Sequence, residues 1–247
     1  MSAALGVFSN LNGEDRGIPM ALGEETASRH DLRTPFGRLK AYFLLLFADH
    51  GILRLFYNLP TPITPQMYRS SQPAPRQIRK LAKQRGFKTI INLRGTSDTS
   101  YHALEKAACE KHGVTLVDFQ VRSRDVPSKA QLHAARELFE QIEYPALMHC
   151  KSGADRAGLM SALYVLIKEK RPVEEALQQL SWRYGHWRQA KTGVLDYFLE
   201  QYRDYNAKTP IDFFDWVDNV YDPVKVKSEF MAGFLPSLIV DRILRRE

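Results

Sequence analysis

Cysteine is nearly missing from this chain. Its 247 residues include only two, Cys109 and Cys150. They stand far apart in different local contexts, which excludes a disulfide framework and any two-cysteine metal pattern. That usage fits a reducing compartment, where a lone thiol can serve as a nucleophile. Long apolar runs are lacking too. No stretch reaches the roughly 20 residues that a bilayer crossing needs. The nearest, 41–48, stops at Asp49 and His50. Residues 1–35 are polar and lack the basic start and apolar centre of a secretory signal. There is no internal repeat and no low-complexity tract. No histidine spacing suits a metal, so neither metal nor cofactor is expected.

What is present describes a folded, basic protein. Hydrophobic residues make up 44% and charged residues 26%, enough to build a packed core. The formal charge is +7, which favours anionic partners: phosphorylated substrates, anionic lipid headgroups or nucleic acid. Nucleic acid has nothing but net charge in its favour, so no nucleic-acid partner is expected.

From Gln66 onward the hydrophobic pattern alternates between strand and helix. Met67-Tyr68-Arg69-Ser70 reads as a short strand. Pro75 opens a helix carrying Ile78, Leu81 and Ala82, which Gly86 ends. The β-branched run 89–93 reads as a buried strand, 101–112 as a helix stopped by Gly113, and 115–119 as the next strand. Ser128 caps a helix with the stripe Leu132, Ala135, Leu138, Phe139 and Ile142. Pro145 leads into the apolar strand 146–149. Helices are expected over 157–170, 173–182 and 194–205, with Pro172 between the first two. Pro60, Pro62 and Pro65 suggest a linker before all of this. Such alternation predicts an α/β fold: a mostly parallel central sheet with helices on both faces.

The segment that carries chemistry is Leu147-Met148-His149-Cys150-Lys151-Ser152-Gly153-Ala154-Asp155-Arg156-Ala157-Gly158. A buried strand ends in a cysteine, five residues form a loop, and an arginine opens an apolar helix. Backbone N–H groups ahead of a helix lack intrahelical partners and can cradle a phosphate, aided by the helix dipole. Gly153 permits tight curvature. Arg156 offers a planar fork for two phosphate oxygens. Positive surroundings favour the thiolate of Cys150, the form able to attack phosphorus.

His149-Cys150, five residues and Arg156 resemble the active-site loop of the protein tyrosine phosphatase superfamily, in its compact dual-specificity branch. Met-Tyr-Arg-Ser-Ser-Gln-Pro at 67–73 and Ile-Ile-Asn-Leu-Arg at 90–94 are similar to the early strands of bacterial members. The resemblance spans roughly 65–190 and implies a cysteine-phosphatase fold without a cofactor. It implies that Cys150 is the nucleophile and Arg156 the phosphate clamp. Lys151, Ser152, Gly153, Ala154, Asp155 and Ala157 then line the substrate loop, and His149 supports it. It also implies an upstream general acid. Asp125, in Arg124-Asp125-Val126-Pro127-Ser128, sits where such a loop belongs; Asp118 and Asp155 are the alternatives. Many members carry Ser or Thr after the arginine, where Ala157 stands here, so the second step is expected to be slower unless Ser152 or water substitutes.

The domain plan that follows is a flexible leader over 1–35, an apolar membrane-leaning helix over 36–59, a catalytic domain over 60–205 and an aromatic, amphipathic extension over 206–247. Segment 41–58 has basic flanks at Arg38, Lys40 and Arg54 and suits either a bilayer interface or packing on the domain. The terminal face of Leu235, Leu238, Ile239 and Ile243, with Arg242, Arg245 and Arg246 near its end, has the same two readings. Lys151 and Asp155 within the loop resemble phosphoinositide phosphatases. The first substrate choice is therefore a phosphorylated lipid, a phosphatidyl or lipid A phosphate, at the cytoplasmic face of a bacterial inner membrane. Phosphoproteins are the alternative, and a phospho-binding pseudophosphatase ranks last because Cys150, Arg156 and Asp125 are all present. Cys109 and the aromatic cluster around Trp216 read as packing. His102, His112, His133 and His186 read as surface or satisfied residues. Nothing in the sequence sets an oligomeric state.

Overall fold

The computed structural model of the chain describes Leu32, residues 34–45 and residues 60–244, the last ten as backbone only. Most of the 1–35 leader and residues 46–58 of the apolar segment lie outside the described residues. So do Arg245, Arg246 and the side chains of Leu235, Leu238, Ile239, Arg242 and Ile243. Two compact units partition the chain: 1–120 with 143–151, and 121–142 with 152–247.

The first unit holds the whole sheet. Its strands are β1 (Thr61–Pro62), β2 (Met67–Ser71), β3 (Thr89–Asn92), β4 (Thr115–Asp118) and β5 (Ala146–Cys150). They lie in the order β1-β2-β5-β3-β4. β5 runs parallel to both β2 and β3, and β3 runs parallel to β4; only β1 is antiparallel. The central place of β5 explains its composition. All five of its residues are buried, as for a strand hydrogen-bonded on both edges. β1 occupies the stretch expected as a linker. It is two residues long and exists through its pairing with β2, a partner that local pattern cannot show.

Among the described residues three helices belong to this unit: α1 (Pro35–Phe43), α2 (Pro75–Arg85) and α3 (Ser100–His112). In α1, Thr34 caps by accepting from the Gly37 amide at 3.1 Å, with Pro35 at the first helical position. In α2, the Gln77 side chain reaches back to accept from the Ala74 amide at 2.7 Å, and left-handed Gly86 ends the helix. Ile78 and Leu81 of α2 meet Ala108 and Cys109 of α3 over Ile90, Val114 and Leu147. Each large aliphatic side chain buried there contributes about 1.5–3 kcal/mol. Cys109 is thus a packing residue, 1% exposed, and burial pushes its thiol well above the ordinary range. Ala41 and Leu45 seat α1 on Leu104 of α3.

The second unit is helical: α4 (Lys129–Gln141), α5 (Asp155–Leu163), α6 (Val173–Leu177), α7 (Val194–Lys208), α8 (Phe213–Asn219) and α9 (Pro223–Leu244). Ser128 caps α4, as the sequence predicts, and the structure adds a reciprocal bond in which Gln131 accepts from the Ser128 amide. α5 begins two residues earlier than expected and widens at Tyr164–Lys168 into a π-helical turn. The helix expected over 173–182 stops at Leu177. The amides of Gln178, Gln179 and Leu180 bond three residues back, tightening the chain, and Ser181 then caps a separate short turn. The aromatic cluster is core: Phe198 and Tyr202 of α7 pack with Phe213, Trp216 and Tyr221. Among the described residues no helix is long and apolar enough to cross a membrane.

Candidate active site

β5 delivers Cys150 to the end of the central strand. The cysteine forms no disulfide and is 2% exposed. Cys150 stands in register with Ser71 of β2, and the preceding His149 with Asn92 of β3. His149 is fully buried. Its Nε2 lies 2.7 Å from Oε1 of Glu105 on α3, and its Nδ1 is 3.4 Å from the Cys150 carbonyl oxygen. The second Glu105 oxygen accepts from Gln72 Nε2 at 2.7 Å. Gln72 Oε1 in turn accepts from Arg94, whose guanidinium stacks 3.6 Å from the Tyr101 ring centre. A buried carboxylate needs donors or an opposing charge; Gln72 supplies a donor to Oε2, while Oε1 faces the His149 ring at 2.7 Å without forming a hydrogen bond.

The sequence predicts His149 as a support but assigns Glu105, Gln72 and Arg94 no role. The available signal was Glu105 itself, a charge on the face of α3 that also carries Leu104, Ala108 and Cys109. Gln72 and Arg94 lie inside the two early segments already noted.

After Lys151, residues Ser152, Gly153 and Ala154 lead into α5. Gly153 has φ of +79°, a conformation that other residues adopt only with strain, so curvature there depends on glycine. The Ala154 amide donates to Ser152 Oγ at 3.4 Å. Ala154 at the cap offers no acceptor side chain, so it does not compete with an incoming anion for the helix N–H groups. Asp155, Arg156 and Ala157 form the first turn of α5. Ala157 is fully buried, and the nearest hydroxyl along the helix, Ser161, donates to the Ala157 carbonyl at 2.6 Å.

Asp155 is held by His186. The imidazole is buried, its Nδ1 2.8 Å from Asp155 Oδ1 and its Nε2 2.6 Å from Asp196 Oδ2. Burial opposes its charge, but the two carboxylates prevail and raise it to about 9. His186 is therefore a satisfied residue, as the sequence predicts, and a cation beside the loop, which the sequence does not reveal.

The three candidate acids differ in surroundings. Asp118 ends β4, and its oxygens accept from Asn92, Thr96 and His102. Burial opposes its ionisation, yet these hydrogen bonds prevail and hold its carboxyl below the usual range. A carboxylate so held is a poor proton donor near neutrality. Asp155 is engaged by His186. Asp125 lies in the β4–α4 loop with a quarter of its side chain exposed, facing Lys227 Nζ at 3.0 Å and Arg122 at 3.9 Å. The loop is anchored just beyond it, where the Tyr221 hydroxyl donates to the Pro127 carbonyl at 2.7 Å.

Residues 60–192 match the family described as DSP-PTPase phosphatase fused to NAD+ kinase. Among solved structures, TpbA of P. aeruginosa aligns with a TM-score of 0.49 and 20% identity, over 59% of this chain and 85% of its own. PTPMT1 aligns at 0.46 and 21%, over 61% of this chain and 100% of its own. The core catalytic domain of the PP-IP phosphatase SIW14 from S. cerevisiae, in complex with citrate, aligns at 0.44 and 16%, over 62% and 96%. No curated protein matches.

Proposed function

The chain belongs to the dual-specificity phosphatases of the protein tyrosine phosphatase superfamily, and on that footing we propose that it hydrolyses phosphomonoesters through a phosphocysteine intermediate at Cys150. Its phosphatase class follows from family membership. The observation that carries the residue assignment is the run from β5 through Gly153, at φ +79°, to the first turn of α5.

The Cys150 thiolate attacks phosphorus in line. A sulfur–phosphorus bond forms as the bond to the leaving oxygen breaks. Arg156 and the amides of 151–155 hold the non-bridging oxygens as charge redistributes. Asp125 gives its proton to the leaving oxygen. In the second step water attacks phosphorus, its proton passes to Asp125, and inorganic phosphate leaves as the thiolate reforms. Ala157 supplies no hydroxyl to stabilise that departing thiolate, which slows this step. His149 orients the strand end through Glu105, and His186 offsets the charge of Asp155 beside the phosphate.

The substrate we propose is a phosphorylated membrane lipid, a phosphatidyl or lipid A phosphate, met at the cytoplasmic face of the inner membrane. Two exposed indoles support it. Trp182 is 78% and Trp187 64% exposed. They flank Gly185, where an added Cβ would lie 3.7 Å from that of Ala154, and His186, which bonds Asp155. Tryptophan prefers the boundary between headgroup and hydrocarbon. Lys151, exposed beside Cys150, suits a second anionic group.

A phosphate-release panel tests this: phosphatidyl phosphate in micelles, phosphopeptides and inositol phosphates. Lipid turnover is expected to exceed peptide turnover severalfold, and Cys150→Ser to abolish both. Equal rates on peptides would transfer the assignment to phosphoproteins. Turnover surviving in Cys150→Ser would remove the mechanism.

A further inference from the structure

Helix α2 carries Arg76, Arg79, Lys80, Lys83 and Arg85 in eleven residues and not one acid. Arg76, Arg79 and Lys83 are three and four apart and therefore share a face, where like charges repel. Ile78 and Leu81 bury the opposite side, so the cations cannot disperse by rolling the helix. They line a cleft of about 530 Å³ together with Arg38 and Tyr42 of α1 and Lys111 of α3. Half-buried His112 adds a nitrogen. No carboxylate stands among the described residues that line it. Arg38 is oriented by its Nε, which donates to the Leu32 carbonyl at 2.6 Å.

The other side of α1 settles what kind of anion fits. At 3.6 residues per turn, Ala41 and Leu45 share the buried face. Arg38 and Tyr42 come next around the helix, on the cleft. Phe36, Leu39 and Phe43 follow, about half a turn from the buried face, and are 77%, 69% and 59% exposed. Largely exposed apolar side chains border a cationic cleft. A soluble anion would satisfy the cleft and do nothing for Phe36 and Leu39, the most exposed of them. A bilayer surface satisfies both: phosphate in the cleft, rings and leucine among the upper acyl carbons.

We propose that the cleft between α1, α2 and α3 is a docking site for an anionic lipid headgroup, with Phe36, Leu39 and Phe43 entering the membrane interface. The site lies apart from Cys150 and binds whether or not lipid is the substrate.

Sedimentation of the full chain with vesicles tests it, using phosphatidylcholine alone and phosphatidylcholine mixed with phosphatidylglycerol. Wild type is expected to bind the mixed vesicles only. The triple variant Arg76→Gln, Arg79→Gln, Lys83→Gln is expected to bind about 100-fold more weakly, each cation near an anionic surface adding several-fold. The triple variant Phe36→Ser, Leu39→Ser, Phe43→Ser is expected to lose binding as well. Arg76→Lys with Arg79→Lys keeps the charge and is expected to bind like wild type, as is Cys150→Ser. Equal rates on a soluble chromogenic ester for wild type and both triple variants are expected, showing that the fold survives. Unchanged vesicle binding in the glutamine variant would overturn the proposal. So would loss of binding in Cys150→Ser, or full competition by soluble glycerol phosphate at the lipid's own concentration.

Discussion

Replacing His186 by glutamine removes a buried cation held between two carboxylates. The wild-type imidazole is 2% exposed and lies 2.8 Å from Asp155 and 2.6 Å from Asp196, with side chains 26% and 7% exposed. Its pKa is about 9 in the folded chain and about 6.5 when unfolded. That difference corresponds to roughly 3 kcal/mol of folding stability. Because the folded value is the higher one, the contribution is complete below pH 6.5 and is lost as the pH rises through 9. At low pH the variant also leaves two carboxylates without their cation, a loss of about 3–5 kcal/mol in buried settings. Urea unfolding of wild type and His186→Gln, followed by circular dichroism from pH 6 to pH 10, isolates the effect. Subtracting one stability from the other cancels most groups that titrate in both proteins. The gap is expected to be widest at pH 6 and to close by roughly 3 kcal/mol at pH 10. Asp196→Asn is expected to move the closing to lower pH, since one raising partner is gone. A gap that stays constant across this range would show that the imidazole carries no proton between the carboxylates, and the account of how Asp155 is held would be wrong.

Two other substitutions address the proposed acid and the exit from β3. Asp125→Asn is expected to lower turnover about 100- to 10,000-fold on alkyl phosphates, which need a proton on the leaving oxygen. The loss on a nitrophenyl ester should be far smaller; equal losses on both would point to a structural role for Asp125. Gly95→Ala is expected to destabilise the chain by about 1–3 kcal/mol in thermal unfolding, because φ is +79° and the added Cβ would meet Gln120 Cβ at 2.8 Å. An unchanged midpoint would show that the β3 exit relaxes freely.

Much of this architecture was legible in the chain because it is written locally. Pro75 and Gly86 bracket α2, Ser128 caps α4, and the apolar run 146–149 reads as the strand found as β5. Elements that depend on a distant partner were not legible. β1 reads as a proline linker because only β2 makes it a strand. The helix expected over 173–182 ends at Leu177, where a tighter turn takes over its amides. In the described part of the membrane-leaning segment, Ala41 and Leu45 pack on Leu104 while Phe36, Leu39 and Phe43 are exposed, a division that only the packing partner reveals.

The proposed site residues illustrate the same division. Cys150, Gly153 and Arg156 lie within seven residues of chain, so strand, loop and helix signals place them without reference to anything else. The groups beside that turn come from elsewhere: Glu105, thirty-three residues from Gln72, accepts from it and lies 2.7 Å from His149, and His186 meets Asp155 and Asp196. Sequence spacing determined the α/β class and the places of the proposed nucleophile and clamp, since each rests on contacts within a few residues. Tertiary structure decided which carboxylates are engaged, which histidine is charged and where cations gather without acids. Those are outcomes of burial and distance, which depend on residues far apart in the chain.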